Sequence, residues 1–297
     1  MARVLITGRS GFVGRHLENA LNVQRAEIFG FDRQQGGNVL DYEQLRTFLD
    51  ESRPDYIYHL AAQAYVPESF VDPRRAIMTN TVGSINLLEA VKNLGIKPKI
   101  LLVGTSEEYG DVSSSKITEK TIPNPRSPYA ISKLAMDHMG RLYAESYGLH
   151  IVVSRAFNHT GPGRGEMYAE SSFAKQIVEI ELGKREFLEH GNLDSVRNYT
   201  DVRDVVGAYT MAINLEPDVY NICSNQNVKM KEVLDILISL ANVPIKTKVS
   251  KSLYRPSDFS FAKPSSAKFR KLTGWKPKLP IEHTMGSLID YWRRHLE

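Results

Sequence analysis

Tyr129 and Lys133 stand four residues apart in the string YAISK. On a helix that spacing puts both side chains on one face. An ammonium beside a phenol favours phenolate and lowers the phenol's pKa. Such a tyrosine can pass a proton to or from a carbonyl or alcohol oxygen, and the lysine can also hold a ribose hydroxyl. A Y-x-x-x-K pair is frequent by chance, so its weight comes from its surroundings. Upstream, GTSEEYG (104–110) carries Thr105, whose hydroxyl could hydrogen-bond a reacting oxygen. Glu107 in the same string reads either as a general base or as a solvated or helix-capping acid.

A second constellation opens the chain. TGRSGFVG (7–14) has the pattern G-x-x-G-x-x-G, with Gly8, Gly11 and Gly14. Glycine permits a tight turn and lets backbone N–H groups approach a pyrophosphate, and a following helix adds its positive end. Gly8, Arg9, Gly11, Phe12, Val13 and Gly14 are therefore candidate coenzyme contacts. Asp32, 24 residues after Gly8, is placed to bond the ribose hydroxyls of NAD, or else is a turn residue. Arg33 and Arg9 pull toward a 2′-phosphate, because guanidinium groups clamp phosphates. NADPH and NADH both remain open. Asp41 reads as a helix N-cap, a contact to the adenine amino group, or both.

These residues need elements to position them. Strand-like runs are VLIT (4–7), AEIFGF (26–31), YIYHLA (56–61), KILLVG (99–104) and HIVVSRAF (150–157). Between the first two, Val13, Leu17, Ala20 and Leu21 recur at helical spacing. Asp41 opens a D-x-x-Q capping box with Gln44. A long helix should run from Pro73 to near Gly95, and another from Pro128 to near Gly148. Strands alternating with helices predict an α/β fold, a Rossmann-type doubly wound parallel sheet covered on both faces. After about residue 158 the rhythm changes. HTGPGRGE (159–166) reads as a loop, with helices over 171–182, around Val233–Ala241 and over 281–296. The expected division is a dinucleotide-binding domain of 1–158 plus about 201–222, and a smaller C-terminal α/β substrate lobe of 159–200 and 223–297.

The chain has 297 residues, 42% apolar and 24% charged, which are ordinary globular values. The single cysteine, Cys223, excludes a disulfide framework or a multi-cysteine metal site. No apolar run approaches the ~20 residues of a membrane helix, and MARVLITG has no signal-peptide pattern. The expectation is a cytoplasmic enzyme with no membrane and no nucleic-acid partner. The basic stretch KFRKLTGWKPK (268–278) reads first as a solvated face of the C-terminal lobe, with an anion site as the alternative.

The order TGxxGFVG, HLAAQ, NTVGSINLLEA, GTSEEYG, YAISK and GPG resembles the extended short-chain dehydrogenase/reductase superfamily, over nearly the whole chain. FNHTGPG, FAKQI, GNLDSVRNYTDVRDVV and RPSD are similar to its GDP-mannose branch, the GDP-mannose 4,6-dehydratases and the GDP-6-deoxy-4-keto-mannose reductases. The resemblance implies a catalytic role for Tyr129, Lys133, Thr105 and Glu107. It implies that Leu60, Ala61 and Ala62 line the coenzyme cleft, and that Asn158 contacts the sugar–phosphate. Arg197 and Arg255 match positions that bind the diphosphate, Asp258 one that reaches the nucleotide's ribose, and Lys175 is a weaker substrate candidate. Arg197 has an alternative as an ion-pair partner of Asp194, Asp201 or Asp204, and Arg255 as a surface residue before a turn proline. His159 is expected to position rather than to catalyse, and His59 to face the core or the cleft passively. The T-S-E string 105–107 fits a dehydratase, but the short lobe favours a reductase of a GDP-4-keto-6-deoxy sugar. The resemblance also implies a homodimer through helices 73–94 and 128–147. A non-catalytic dinucleotide sensor is the remaining alternative, although the Y-x-x-x-K pair is intact.

Overall fold

Six β-rich runs pair side by side: β1 (Arg3–Thr7), β2 (Glu27–Phe31), β3 (Tyr56–His59), β4 (Lys99–Val103), β5 (Ile151–Ala156) and β6 (Val219–Ile222). In this computed structural model, which describes residues 1–112, 116–224, 226–254 and 263–296, they form one sheet in the order β6-β5-β4-β3-β1-β2. Every pairing in that sheet is parallel. The chain doubles back between β1 and β3, and open α/β sheets bind ligands at the strand carboxyl ends beside such a reversal.

The strands alternate within a sheet that has no wet face. Val4, Ile6, Leu101 and Val152 enter one core, with Leu17 of α1 (Phe12–Val23) and Val205 of α6 (Val202–Ala212). Leu5, Ile100, Leu102 and Val153 enter the other. There they meet Leu45 of α2 (Tyr42–Ser52), Leu87 of α3 (Gly83–Asn93) and Met136 of α4 (Pro128–Tyr147). Period-two alternation thus sorts the residues between two apolar layers, and β5 is buried at all six positions.

Local signals set the helix ends. The Ser127 hydroxyl accepts from Ala130 N–H at 3.0 Å, Pro128 opens α4, and Gly148 closes it at φ +65°. Asp41 caps α2 through Gln44 N–H at 3.0 Å. The reciprocal half of the expected box is not made. The Gln44 carboxamide instead accepts from Asn38 N–H at 2.8 Å and donates to Gly36 C=O at 2.9 Å. The helix expected after Pro73 is interrupted: Pro73–Ile77 passes through a π-helical turn, Met78–Val82, before α3. That turn buries Asn80 completely.

Beyond β5 the chain builds a second core. α5 (Ala169–Glu181), α7 (Met230–Ser239) and α9 (Ile281–Leu296) pack Phe173, Ile177, Val233, Leu237, Met285 and Leu288 together. Among the described residues short ladders accompany them, such as Val196–Arg197 with Val228–Lys229. The segment 201–222 returns to the sheet, as α6 and then β6. The stretch 223–297 does not stay with the lobe throughout. Phe269 of α8 (Ala267–Thr273) and Trp275 join the core on the α6 face of the sheet. Their rings lie 5.6 Å apart, and Phe269 meets Tyr220 at 6.3 Å. The basic stretch 268–278 is thus partly a core helix, and Lys268 pairs with Asp218 at 2.5 Å. Cys223 is buried, and burial pushes its thiol up to about 12. Among the described residues, no helix is long and apolar enough to cross a membrane.

Candidate active site

The turn after β1 has no room for side chains. Gly8 sits at φ +73°, and a Cβ there would lie 3.0 Å from Ala61 N. A Cβ on Gly14 would strike the carbonyl oxygens of Gly8 and Arg9. Gly11 N–H closes the turn on Gly8 C=O at 3.0 Å. Gly11 also caps α1 without a side chain, and no acid lies in the first turn. The first N–H groups of α1, at Phe12 and Val13, therefore keep their positive end for an external anion. This cradle fits the pyrophosphate of a dinucleotide. Beside it, Leu60 N–H donates to Thr7 C=O at 3.1 Å and Ala61 N–H to Thr7 Oγ1 at 3.2 Å, which brings 60–62 against the glycine turn.

Asp32 ends β2 as a tie. It accepts from Ser10 N–H at 2.8 Å, Gln34 N–H at 3.0 Å and Gln35 N–H at 3.2 Å. Burial pushes its carboxyl up, but the N–H donors outweigh this and hold it below its ordinary value. It thus fastens the glycine turn to the Arg33–Gln35 turn. Arg9 lies back along α1 in a two-point pair with Glu18, at 2.9 and 2.5 Å. Arg33 is exposed, and so is the cap Asp41.

Thr105 follows β4 and caps the turn Ser106–Tyr109, its hydroxyl accepting from Glu107 N–H at 3.3 Å. Tyr129 and Lys133 lie on the first turns of α4. Lys133 is buried, and its Nζ donates to Val103 C=O at 2.8 Å. Burial pushes that ammonium down to about 8, with the Glu108 carboxylate acting in the opposite sense. The phenol of Tyr129 is raised, not lowered as the Y-x-x-x-K spacing suggested. Burial is the largest cause, a hydrogen bond with Thr105 opposes it, and Tyr168 and Glu107 add to it. Desolvation of the phenolate sets the direction, while Lys133 is engaged by a backbone carbonyl. The phenol is held in its protonated form at neutral pH.

A buried polar chain that motif reading missed runs behind this group. Thr7 Oγ1 meets His59 Nδ1 at 2.8 Å, and His59 Nε2 meets Ser84 Oγ at 2.8 Å. Ser84 donates to Asn80 C=O at 2.7 Å. Asn80 Nδ2 donates to Ser132 Oγ at 2.9 Å, and Ser132 donates to Tyr129 C=O at 2.7 Å. The glycine-loop strand is thereby linked to the tyrosine's backbone. Complete burial pushes His59 down to about 3, so the chain is neutral. Its sequence signal is Asn80 and Ser84, four apart and polar on the buried face of NTVGSINLLEA.

The lobe closes the other side. Asn158 C=O accepts from Thr200 N–H at 2.9 Å, while its buried side-chain Oδ1 has no hydrogen-bond partner. His159 stacks on Phe12 at 6.3 Å, and burial pushes it down to about 4, with Arg164's charge adding. His16 Nε2 meets Pro162 C=O at 2.8 Å, and the Arg164 guanidinium lies 5.0 Å over Phe12 and 3.3 Å over Tyr168. The Gly/Pro loop thus docks on the start of α1. Lys175 pairs with Glu166, and with Glu179 at 3.6 Å. Arg197 Nη1 donates to Val196 C=O at 3.0 Å. Asp201 is taken by Arg203 and Thr284, and Asp204 by the N–H groups of Lys278 and Leu279. Arg255 and Asp258 lie outside the described residues.

The sequence profile of the GDP-mannose 4,6 dehydratase family matches residues 34–287. The chain is 34% identical to GDP-6-deoxy-D-mannose reductase of Pseudomonas aeruginosa, over 98% of this chain and 97% of that protein. It is 31% identical to GDP-mannose 4,6 dehydratase 1 of Arabidopsis thaliana, over 86% of this chain and 72% of that one. Among solved structures, RMD from Pseudomonas aeruginosa complexed with NADPH superposes with a TM-score of 0.91 at 33% identity, covering 99% of this chain and 100% of that one. The UDP-glucose 4-epimerase of Thermus thermophilus complexed with NAD gives 0.88 at 29%, covering 98% and 99%.

Proposed function

We propose that this chain, which belongs to the GDP-mannose 4,6 dehydratase family, is an NAD(P)H-dependent oxidoreductase. Its reaction is reduction of the C4 ketone of a GDP-4-keto-6-deoxy sugar: GDP-4-keto-6-deoxy-D-mannose to GDP-D-rhamnose, or a heptose analogue. The observation that carries this reading is the Tyr129 phenol, hydrogen-bonded with Thr105 at the carboxyl edge of the sheet, with Lys133 one turn along the same helix. Reducing a ketone needs one proton delivered where the oxyanion grows. Near full-length similarity to a GDP-6-deoxy-D-mannose reductase supports the substrate class.

The coenzyme, when bound, supplies a hydride to the carbonyl carbon. Tyr129 O–H gives its proton to the carbonyl oxygen, and Thr105 hydrogen-bonds that oxygen as charge develops. Lys133 turns its ammonium toward the phenolate that remains. Asn158 Oδ1 takes a donor from the sugar, and Arg197 and Arg255 grip the diphosphate as guanidinium forks. Asp258 is assigned to the nucleotide's ribose, and Lys175 is the weaker substrate contact. The cradle of Gly8, Gly11 and Gly14, with Leu60, Ala61 and Ala62, receives the coenzyme. Arg33 favours NADPH, with Asp32 holding the turn that presents it, Arg9 joining it on release from Glu18, and Asp41 near the adenine. Residues 159–200 and 223–297, less the sheet-packed α8 and Trp275, form the substrate lobe. The protein acts in the cytoplasm as a homodimer. Ile131 and Leu142, each 50% exposed and three turns apart on α4, offer an apolar stripe for that contact.

A dehydratase reading rests on one observation: Glu107 stands on the turn that Thr105 caps, in the T-S-E string that would supply an extra base to the sugar. Coenzyme absorbance after addition of GDP-4-keto-6-deoxy-mannose tests both readings. Rapid oxidation of NADPH or NADH is expected. No oxidation, with water lost from GDP-mannose, would replace the reductase by the dehydratase.

A further inference from the structure

Beneath the catalytic pair lies a second acid that the proposed reaction does not use. Glu108 is fully buried, on the turn that Thr105 begins. Its Oε1 accepts from Thr105 N–H at 2.9 Å. Its Oε2 lies 2.8 Å from Nε of Arg155 on β5. Arg155 also meets Asp137 of α4 at 2.8 Å, and its guanidinium lies 4.9 Å over the Tyr109 ring. The carboxyl rests over Gly104, where a Cβ would come within 2.6 Å of Oε1. Gly104 directly follows Val103, whose carbonyl holds Lys133 Nζ at 2.8 Å.

These four groups close a balance of charge. Arg155 and Lys133 are cations, and Asp137 and Glu108 are acids, all at most 3% exposed. Arg141 reaches Asp137 from the solvent side at 2.7 Å. Glu107 lies on the same turn and Tyr129 on α4, both on the side of the reacting atoms. His59, behind Lys133, is neutral. Arg155 stands between Asp137 and Glu108, Arg141 adds a second cation to Asp137, and Lys133, held by a carbonyl, takes its opposite charge from Glu108 across the Val103–Gly104 backbone. A buried charge without a counterpart is costly, and the group that can neutralise does so. Arginine cannot give up its proton, whereas lysine can.

We infer that Glu108 is a positioning residue for this catalytic pair. It fixes Thr105 through the backbone N–H, and its charge keeps the proton on Lys133. The inference rests on the reading of Tyr129 and Lys133 as the reacting pair. Burial and Asp137 hold Glu108 above its ordinary value, with Arg155 and the Thr105 N–H opposing. Ionised, it opposes the loss of the Lys133 proton that burial favours.

The test follows the ε-15N-lysine resonance of Lys133 from pH 6 to 11 (assigned with Lys133→Arg), alongside the pH profile of kcat. Glu108→Gln retains an acceptor for Thr105 N–H and removes the charge. Its Lys133 midpoint is expected to fall by about one pH unit, and the alkaline limb of kcat with it. Glu108→Leu carries no buried polar group, and Arg155 keeps Asp137, so it reports if the glutamine variant does not fold. The same fall is expected there, with a lower kcat because Thr105 loses its anchor. An unmoved Lys133 midpoint in a folded variant overturns the inference. So does a kcat limb that stays in place while activity is present. A moved midpoint in a protein without ketone reductase activity upholds the role of Glu108 and rejects the reductase reading instead.

Discussion

Thr105, Tyr129 and Lys133 hang on a strand end and on the first turns of a 20-residue helix. Backbone hydrogen bonds, a buried polar chain and a buried ion cluster tie those elements together. Asn158 and Arg197 sit on a loop and on a two-residue ladder, and Lys175 is shared between Glu166 and Glu179. The sheet edge is over-determined, while the lobe residues of the site stand on a loop and a two-residue ladder. Reacting atoms tolerate little misplacement, whereas a diphosphate held by flexible guanidinium forks tolerates more. Changes on the sheet side should therefore appear in turnover, and changes on the lobe side in binding.

The largest break in that contrast is Tyr129→Phe, which removes the proposed proton donor and leaves the packing. Turnover should fall by about 10²–10⁴-fold, with coenzyme affinity unchanged by fluorescence titration. Equal loss of turnover and coenzyme binding would mean the tyrosine is structural. On the lobe side, Arg197→Ala should raise KM with kcat preserved. Loss of a charged hydrogen bond is worth about 1.5–3 kcal/mol, roughly 10- to 100-fold. A fall in kcat at constant KM would place Arg197 with the chemistry and erase the contrast.

Two histidines sharpen it further, His59 fully buried and His159 half-buried. Burial pushes His59 from its ordinary 6.5 to about 3, and His159 to about 4. Unfolded, both bind a proton near 6.5; folded, they resist it. The unfolded state then binds more protons, so stability is lost as pH falls from 6.5 toward those values, by about 1.4 kcal/mol per pH unit for each histidine. Urea unfolding between pH 7 and 5 should show this slope, and His59→Gln and His159→Gln should each remove a share. A slope unaltered by either variant would contradict their neutral burial. The smallest effect belongs to Arg33→Ala. The preference for NADPH over NADH should drop roughly tenfold, about 1.4 kcal/mol, and an unchanged ratio would take Arg33 out of the coenzyme site.

Much of the sheet edge was legible beforehand. Gly8, Gly11 and Gly14 announced a turn where no Cβ fits, and the strand runs and the span of α4 match the alternating pattern closely. Two local readings changed. Gln44 turned its carboxamide to Asn38 and Gly36 in place of the Asp41 N–H, because the preceding loop folds back within its reach. Phe269 and Trp275 went to the sheet, because β6 offered Tyr220 and an uncovered apolar face. The buried chain from Thr7 to Ser132, and the quartet of Glu108, Asp137, Arg155 and Lys133, were not read as sites. Their members lie 52 residues apart for Thr7 and His59, and for Asn80 and Ser132. Spacing rules describe only neighbours on one element.

The sequence alone determined what depends on local backbone geometry. That covers the glycine turn, the Ser127 and Gly148 helix ends, the shared face of Tyr129 and Lys133, and the two-faced strands of a parallel sheet. Each is set by sterics and periodicity within a few residues. Tertiary structure decided the charge states. Whether Tyr129 is a phenol or a phenolate, and whether Lys133 keeps its proton, depends on how deeply each is buried and which groups face it. Desolvation and Coulomb interaction act through space, and only the folded chain sets the distances over which they act.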